Sequence, residues 1–337
     1  IKPTYLMSST TRDSNFELLR IIAMVFVVVL HIIVHILRES TTGCEYIMGI
    51  TITGVNLFIL ISGFFGIKTT WKSFLTLISI AVFFYVVAIL LNWAIFDRPP
   101  TVGEIVTIFT PISRSTWWFV KCYILLVIFS PFINIVLEKS SKIQYCYLLG
   151  ALLYVTSISG FVFKGQINPN GYTLFQFITL YVIGNAIKRY NILQIVPQRI
   201  FILTYILSTI ATIYLLRIHH DARYYNNPTV IIAAISLFCI IGKLDFKSKT
   251  INYVSRFMFP VYLLQDSPLG FRLYRLMRET GAPLEYSSWE WWIYLFIYLF
   301  GLFATAFLFE HLRRFVFNKP IEKTSMKAEC FFTNQFT

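Results

Sequence analysis

The sequence predicts an all-α, polytopic integral membrane protein. Three observations carry that prediction. Of the 337 residues 57% are hydrophobic and only 13% are Asp, Glu, Lys or Arg. The mean hydropathy is +0.67. Apolar runs of roughly 17 to 25 residues, separated by Pro, Gly and charge clusters, recur along the whole chain, and that length matches the hydrocarbon thickness of a bilayer. In lipid each backbone N–H and C=O must be satisfied within the protein, so such runs read as helices. No ordinary soluble domain has this composition.

The runs define ten spans in order, near residues 17–37, 46–66, 73–95, 117–137, 143–163, 172–188, 199–217, 228–242, 251–267 and 289–310. The first is too long for the core of a signal peptide and is followed by further spans, so it is expected to stay in the protein. The eighth is short and the ninth amphipathic. Basic residues punctuate the series: Lys68 and Lys72 before the third span, Lys139 and Lys142 before the fifth, Lys188 and Arg189 after the sixth, Lys243, Lys247 and Lys249 before the ninth, Arg313 and Arg314 after the tenth. With the N-terminus placed in the cytoplasm, these inner segments carry about twice as many Lys and Arg as the outer ones, which include Arg38 and Arg114; the positive-inside rule then puts both termini inside, as an even number of spans requires. The net charge of +13 is accounted for in this way, since the cations are dispersed over short loops and form no nucleic-acid-binding module. A single membrane domain over 1–337 is expected, with short cytoplasmic tails at about 1–15 and 315–337.

The five cysteines show no CxxC or metal spacing. Cys44 and Cys122 fall toward the outer side, where a disulfide is chemically allowed, but nothing in the sequence pairs them.

The first span, ELLRIIAMVFVVVLHIIVH, carries Glu17, Arg20, His31 and His35. Each ionisable group inside the hydrocarbon costs about 2.5 to 3.5 kcal/mol on insertion scales, so four in one helix call for a reason. Arg20 and His31 are 11 positions apart. At about 100° per residue they lie within about 20° of the same face and roughly 16 Å apart along the axis. Glu17, one turn before Arg20, can pair with it. His35 follows His31 by one turn. A bland reading remains for each: Arg20 snorkelling to headgroups, His31 as an interhelical hydrogen-bonder, His35 at the interface. The two histidines of HIIVH lack the glutamate and the further ligand of a zinc motif, so no metal is expected.

Arginine, ten residues, then histidine, preceded by glutamate in FELLRIIAM, resembles the signature of the acyltransferase-3 family, ten-span membrane acyltransferases that modify cell-surface polysaccharides. Four further stretches resemble the family in the same order: NLFILISGFFGIK with its Ser62-Gly63-Phe64 ending, STWWFVKCYILLVIFSPFINIV, LYVIGNAIKRY, and FPVYLLQD near the C-terminus. One departure stands out. Gln265 occupies a position where many relatives carry histidine, and glutamine carries no proton at neutral pH.

The resemblance implies a membrane-bound O-acyltransferase of the bacterial inner membrane, acyl-CoA dependent. It would move an acetyl group from acetyl-CoA, a co-substrate and not a resident cofactor, to a hydroxyl of a surface or exopolysaccharide sugar or its lipid-linked precursor. Arg20 would grip donor phosphate, with Lys68, Lys72 and Arg189 steering the nucleotide end; the positive-inside rule alone also explains those three. His31 would act as general base or as an acyl-carrying nucleophile. Glu17, His35, Ser62, Trp118 and Gln265 would support the site. Ser62-Gly63 also reads as a close helix contact, and Trp117 and Trp118 as an interfacial belt or a sugar platform beside Arg114. Arg272, Arg275 and Arg278 recur every three residues and read as a solvated face or as a contact for an anionic glycan or headgroup. The rival reading from another class is a transporter or flippase for a glycan or lipid-linked substrate.

Overall fold

The computed structural model describes residues 13–37, 43–110, 117–218, 223–281 and 289–336, and among them every regular element is helical. The tail expected over 1–15 is described only from residue 13. Arg38 and Arg114 lie outside the described residues.

Helix α1 (Ser14–Ile32) continues through a π turn at Ile33–Leu37. It begins three residues earlier than its apolar run, because the polar start is tied down: Asn15 Nδ2 donates to Gly242 O at 3.0 Å, and Ser14 Oγ accepts from Ser248 N at 2.8 Å. Helices α2 (Cys44–Thr51) and α3 (Gly54–Phe65) form the second span around a one-turn break. Next come α4 (Trp71–Phe96), the short α5 (Val102–Phe109), α6 (Trp118–Lys139) and α7 (Lys142–Leu153), the last extended by a π segment to Val162. Capping boxes start three of these: Thr70 with Ser73, Thr101 with Glu104, Ser141 with Gln144. Helices α8 (Leu174–Arg189), α9 (Ile192–Ile195), α10 (Gln198–Ile218) and α11 (Pro228–Gly242) follow. Residues 249–265 are split into α12 (Lys249–Val254), a 3₁₀ turn (Ser255–Phe257) and α13 (Met258–Gln265). The chain ends with α14 (Pro268–Gly281) and α15 (Trp289–Phe336).

Seven of these segments are long and apolar enough to cross a membrane. The remaining three expected runs are helical but different in kind. α8 has 16 residues and α11 has 15, while the ninth is broken in two places. The stretch expected as a tail over 315–337 is helical and continues α15 as far as Phe336.

Side-chain bonds sort the loops to two ends of the bundle. At one end Lys72 pairs with Glu322 at 2.7 Å, Arg189 donates to the carbonyls of Leu137 and Ser140, and Lys243 donates to the carbonyls of Leu193 and Val196. At the other, Arg217 pairs with Glu45 at 3.1 Å, Arg98 pairs with Glu104 at 3.3 Å, and Trp118, Tyr172 and Tyr225 pack together. The first is the basic end, where α1 begins.

α2–α3 is the most interior span, 72% of it buried, whereas only 11% of the α15 window is covered. Two glycines let α3 approach α8. A Cβ on Gly63 would overlap the Tyr181 carbonyl, and one on Gly184 would overlap the Leu60 carbonyl. The backbones therefore touch, the small-residue packing expected where lipid supplies no hydrophobic drive between helices. Tyr181 then fixes the turn after α3, its OH donating to Asn134 Oδ1 at 2.7 Å and accepting from Ile67 N at 2.8 Å. α1 packs against α3 on one side and against α12–α13 on the other.

Candidate active-site cavity

The space between α1, α3, α4, α6 and the broken ninth segment is a cavity of about 290 Å3. α1 contributes Arg20, Met24 and Val27, at steps of four and three residues, so one stripe of the helix forms this wall. α3 adds Val55, Phe58 and Ser62; α6 adds Phe119 and Tyr123. The broken segment supplies Ser255, Arg256 and Tyr262. The chemistry is asymmetric: both guanidinium groups and Ser255 stand toward the basic end, whereas Val27, Val55, Phe119 and Tyr262 form an apolar and aromatic far wall.

Glu17 organises the cationic end. Its side chain is 5% exposed; Oε1 pairs with Arg20 Nη1, and Oε2 accepts from Ser255 Oγ at 2.5 Å. One buried carboxylate thus ties α1 to the 3₁₀ turn that presents Arg256. Arg256 is exposed at the mouth, and among the described residues no carboxylate pairs with it. Ser62 Oγ donates to Phe58 O at 3.0 Å and lies 3.4 Å from Tyr123 OH.

His31 continues the Arg20–Met24–Val27 stripe one turn further, on the same unbroken α-helix, and it is not part of the cavity wall. Its ring lies 5.6 Å from His35 and 6.4 Å from Tyr274, both edge-on, and its buried Nδ1 has no hydrogen-bond partner among the described residues. His35 stacks on Tyr274 at 5.2 Å. Tyr274 OH in turn donates to Gln265 Oε1 at 3.5 Å, and Gln265 Nε2 lies 4.0 Å from Met24 Sδ. Tyr262, in the far wall, donates to Asp266 Oδ2 at 2.7 Å. The cavity therefore runs from Arg20 to Val27, about 10 Å along α1, and stops one turn short of the imidazole.

The other expected donor-binding residues lie elsewhere. Lys68 is exposed and Lys72 is engaged by Glu322; neither lines the cavity. Arg189 is taken up at the α6 terminus, over the rings of Tyr145 at 5.3 Å and Tyr190 at 5.8 Å. The helix C-terminus and its unpaired carbonyls drew the guanidinium there. Trp118 stacks on Tyr225 at 5.4 Å instead of standing free as a sugar platform, and Trp117 is fully buried edge-on against Tyr85, which removes it from any interfacial belt. Cys44 and Cys122 are both buried, and among the described residues no disulfide joins them. Among the described residues no three His, Cys, Asp or Glu side chains converge as a metal site would need.

Sequence reasoning missed Arg256, Ser255, Tyr123 and Tyr262. Arg256 was not singled out because 251–267 read as one uninterrupted span; Pro260, four residues on within the quoted FPVYLLQD, was the available signal of a break there.

A bundle of membrane-length helices around a cavity with cations at one end is the frame of an integral membrane protein with an internal ligand site. The family model for the acyltransferase domain matches residues 13–311, and the chain belongs to the acyltransferase-3 family. No curated protein and no solved structure matches it. An acyltransferase activity and a multi-pass membrane location follow from the family and the helices together.

Proposed function

We propose that this protein is an acyl-CoA-dependent O-acyltransferase of the bacterial inner membrane, moving an acetyl group from cytoplasmic acetyl-CoA to a hydroxyl of a surface or exopolysaccharide sugar or its lipid-linked precursor. The ten expected spans, with both termini cytoplasmic, put the basic end on the donor side. The observation that carries the reading is the single stripe on α1: a guanidinium at the cavity mouth, two apolar cavity-lining residues, and an imidazole one turn beyond. Phosphate binds at Arg20, whose planar donors match phosphate oxygens. The pantetheine arm lies along Met24 and Val27, and the thioester reaches His31.

At that point the acceptor hydroxyl oxygen attacks the thioester carbonyl carbon. A nitrogen of His31 takes the hydroxyl proton, the carbon–sulfur bond breaks, and the proton passes to the departing thiolate. Ester and free thiol result. Imidazole suits the task because its ordinary pKa lies near neutral pH. If His31 instead carries the acyl group itself, labelled acetyl appears on the protein when acceptor is withheld.

Membranes carrying the protein, supplied with radiolabelled acetyl-CoA, should transfer label to glycan, and His31→Ala and Arg20→Ala should each abolish it. Label in glycan at wild-type rates in both variants would refute the reading. The broken segment at 249–265 also suits a transporter, in which a discontinuous helix faces the substrate. That rival predicts acetyl-CoA-independent movement of glycan and no thioester cleavage.

A further inference from the structure

Arg20 does not act at the cavity mouth alone. Glu17 already holds it, so the Arg20–Glu17 pair presents little net charge to a ligand. Arg256 lines the same cavity from the opposite element, and no carboxylate among the described residues offsets it. The two guanidiniums are held in register through one residue, because Glu17 bonds Arg20 with one oxygen and Ser255, the immediate neighbour of Arg256, with the other. The 3₁₀ turn at Ser255–Phe257 serves this geometry. At about 120° per residue the turn points Ser255 and Arg256 in different directions, Ser255 buried against Glu17 and Arg256 exposed on the cavity wall. Neither of the other nearby cations competes: Arg313 is buried in a bidentate pair with Glu310, and Arg314 also bonds Glu310.

Resting on the acyl-CoA reading above, we infer that Arg256 is a donor-binding residue that, with Arg20, clamps the diphosphate of the nucleotide across the cavity mouth, so that the enzyme selects donors carrying two adjacent phosphates over donors carrying one. Two guanidiniums fed from facing helices each reach a different phosphate, and the uncompensated charge of Arg256 makes it at least as important as Arg20. A charge-assisted hydrogen bond to phosphate is worth about 10- to 100-fold in affinity.

The test is equilibrium binding of coenzyme A, 4′-phosphopantetheine and pantetheine to the purified full-length protein in detergent. Wild type, Arg20→Ala, Arg256→Ala and Arg256→Lys are compared. The clamp predicts that Arg256→Ala weakens coenzyme A binding at least tenfold, weakens phosphopantetheine less, leaves pantetheine unchanged, and is partly rescued by lysine. Equal losses for all three ligands would mean that the variant merely distorts the cavity, and an unchanged coenzyme A affinity would mean that Arg256 does not touch phosphate; either result overturns the inference. The underlying reading fails separately, and visibly, if the wild-type protein binds coenzyme A no better than pantetheine.

Discussion

Val27→Phe separates binding from transfer. Val27 is 4% exposed and is the last α1 residue in the cavity wall, about 10 Å from Arg20 along the axis and one turn before His31. It faces Val55, Phe119 and Tyr262 across the far end. A donor arm extending from the cationic mouth to the imidazole must pass this constriction. A phenyl ring at position 27 fills it with carbon, and the neighbouring residues are themselves too well packed to retreat without cost. The phosphate end is untouched, because Arg20, Glu17, Ser255 and Arg256 lie two turns away. Misplacement of a reacting group by about 1 Å already costs about 100-fold in rate, so transfer should fall by at least two orders of magnitude, while the affinity for coenzyme A changes less than threefold. The assay pairs radiolabelled acetyl transfer in membranes with coenzyme A binding to purified protein. Wild-type transfer by Val27→Phe would show that the donor takes another route. Loss of coenzyme A binding in step with transfer would show that the residue belongs to the nucleotide site.

Other substitutions test the frame around the cavity. Gly63→Ala places a methyl group against the Tyr181 carbonyl and forces α3 from α8, so it should lower stability by about 1–3 kcal/mol, read as a drop in thermal unfolding temperature in detergent. Glu310→Gln strips the carboxylate from Arg313, which is only 2% exposed, and should cost about 3–5 kcal/mol; replacing Glu310 and Arg313 together with Met should recover most of it. Arg189→Ala removes the guanidinium that bonds the carbonyls of Leu137 and Ser140, and should lower stability by about 0.5–1.5 kcal/mol with a smaller effect on coenzyme A affinity than Arg20→Ala has.

The spans were legible because hydrocarbon thickness sets a length that the eye can count in apolar residues. Each of the ten expected ranges is mostly helical, and the differences fall at turns and at element ends. α1 starts early because Ser14 and Asn15 find partners in the 242–248 loop. The ninth run breaks at Ser255–Phe257, where Pro260 has no N–H to bond the Arg256 carbonyl four residues earlier and the Ser255 hydroxyl bonds Glu17 across the bundle. The tenth run has no stop at 310, since Glu310 and Arg313 satisfy each other within the helix and let it continue.

The site was half legible for a related reason. Helical periodicity places Arg20, Met24, Val27 and His31 on one stripe from spacing alone, and the structure keeps that stripe intact. Periodicity says nothing of what faces it. Arg256, Tyr123 and Tyr262 come from other helices, and their arrival depends on the tertiary bond between Glu17 and Ser255 and on the close contact of α3 with α8. Lys68, Lys72 and Arg189 fit a donor site by charge sign only; an exposed or carbonyl-bound cation is what a membrane-flanking loop supplies without any ligand.

Gln265 bears most directly on the chemistry. It is fully buried, with its amide nitrogen against Met24, a cavity-wall residue, and its carbonyl oxygen accepting from Tyr274, the ring that packs against both His31 and His35. It therefore stands between the cavity and the imidazole, at the position where the family resemblance leads one to expect a histidine. A glutamine there supplies one donor and one acceptor in fixed positions and cannot exchange a proton. Tyr262, the neighbouring far-wall hydroxyl, is committed to Asp266. On the Arg20 stripe the proposed base is then His31, held edge-on by Tyr274, its Nδ1 without a hydrogen-bond partner among the described residues. A single-base site needs the hydroxyl and the thioester to reach the same imidazole, the hydroxyl from one side and the thioester past Val27 from the other. In the proposed mechanism that requirement makes the one-turn gap between cavity and histidine the step on which transfer turns.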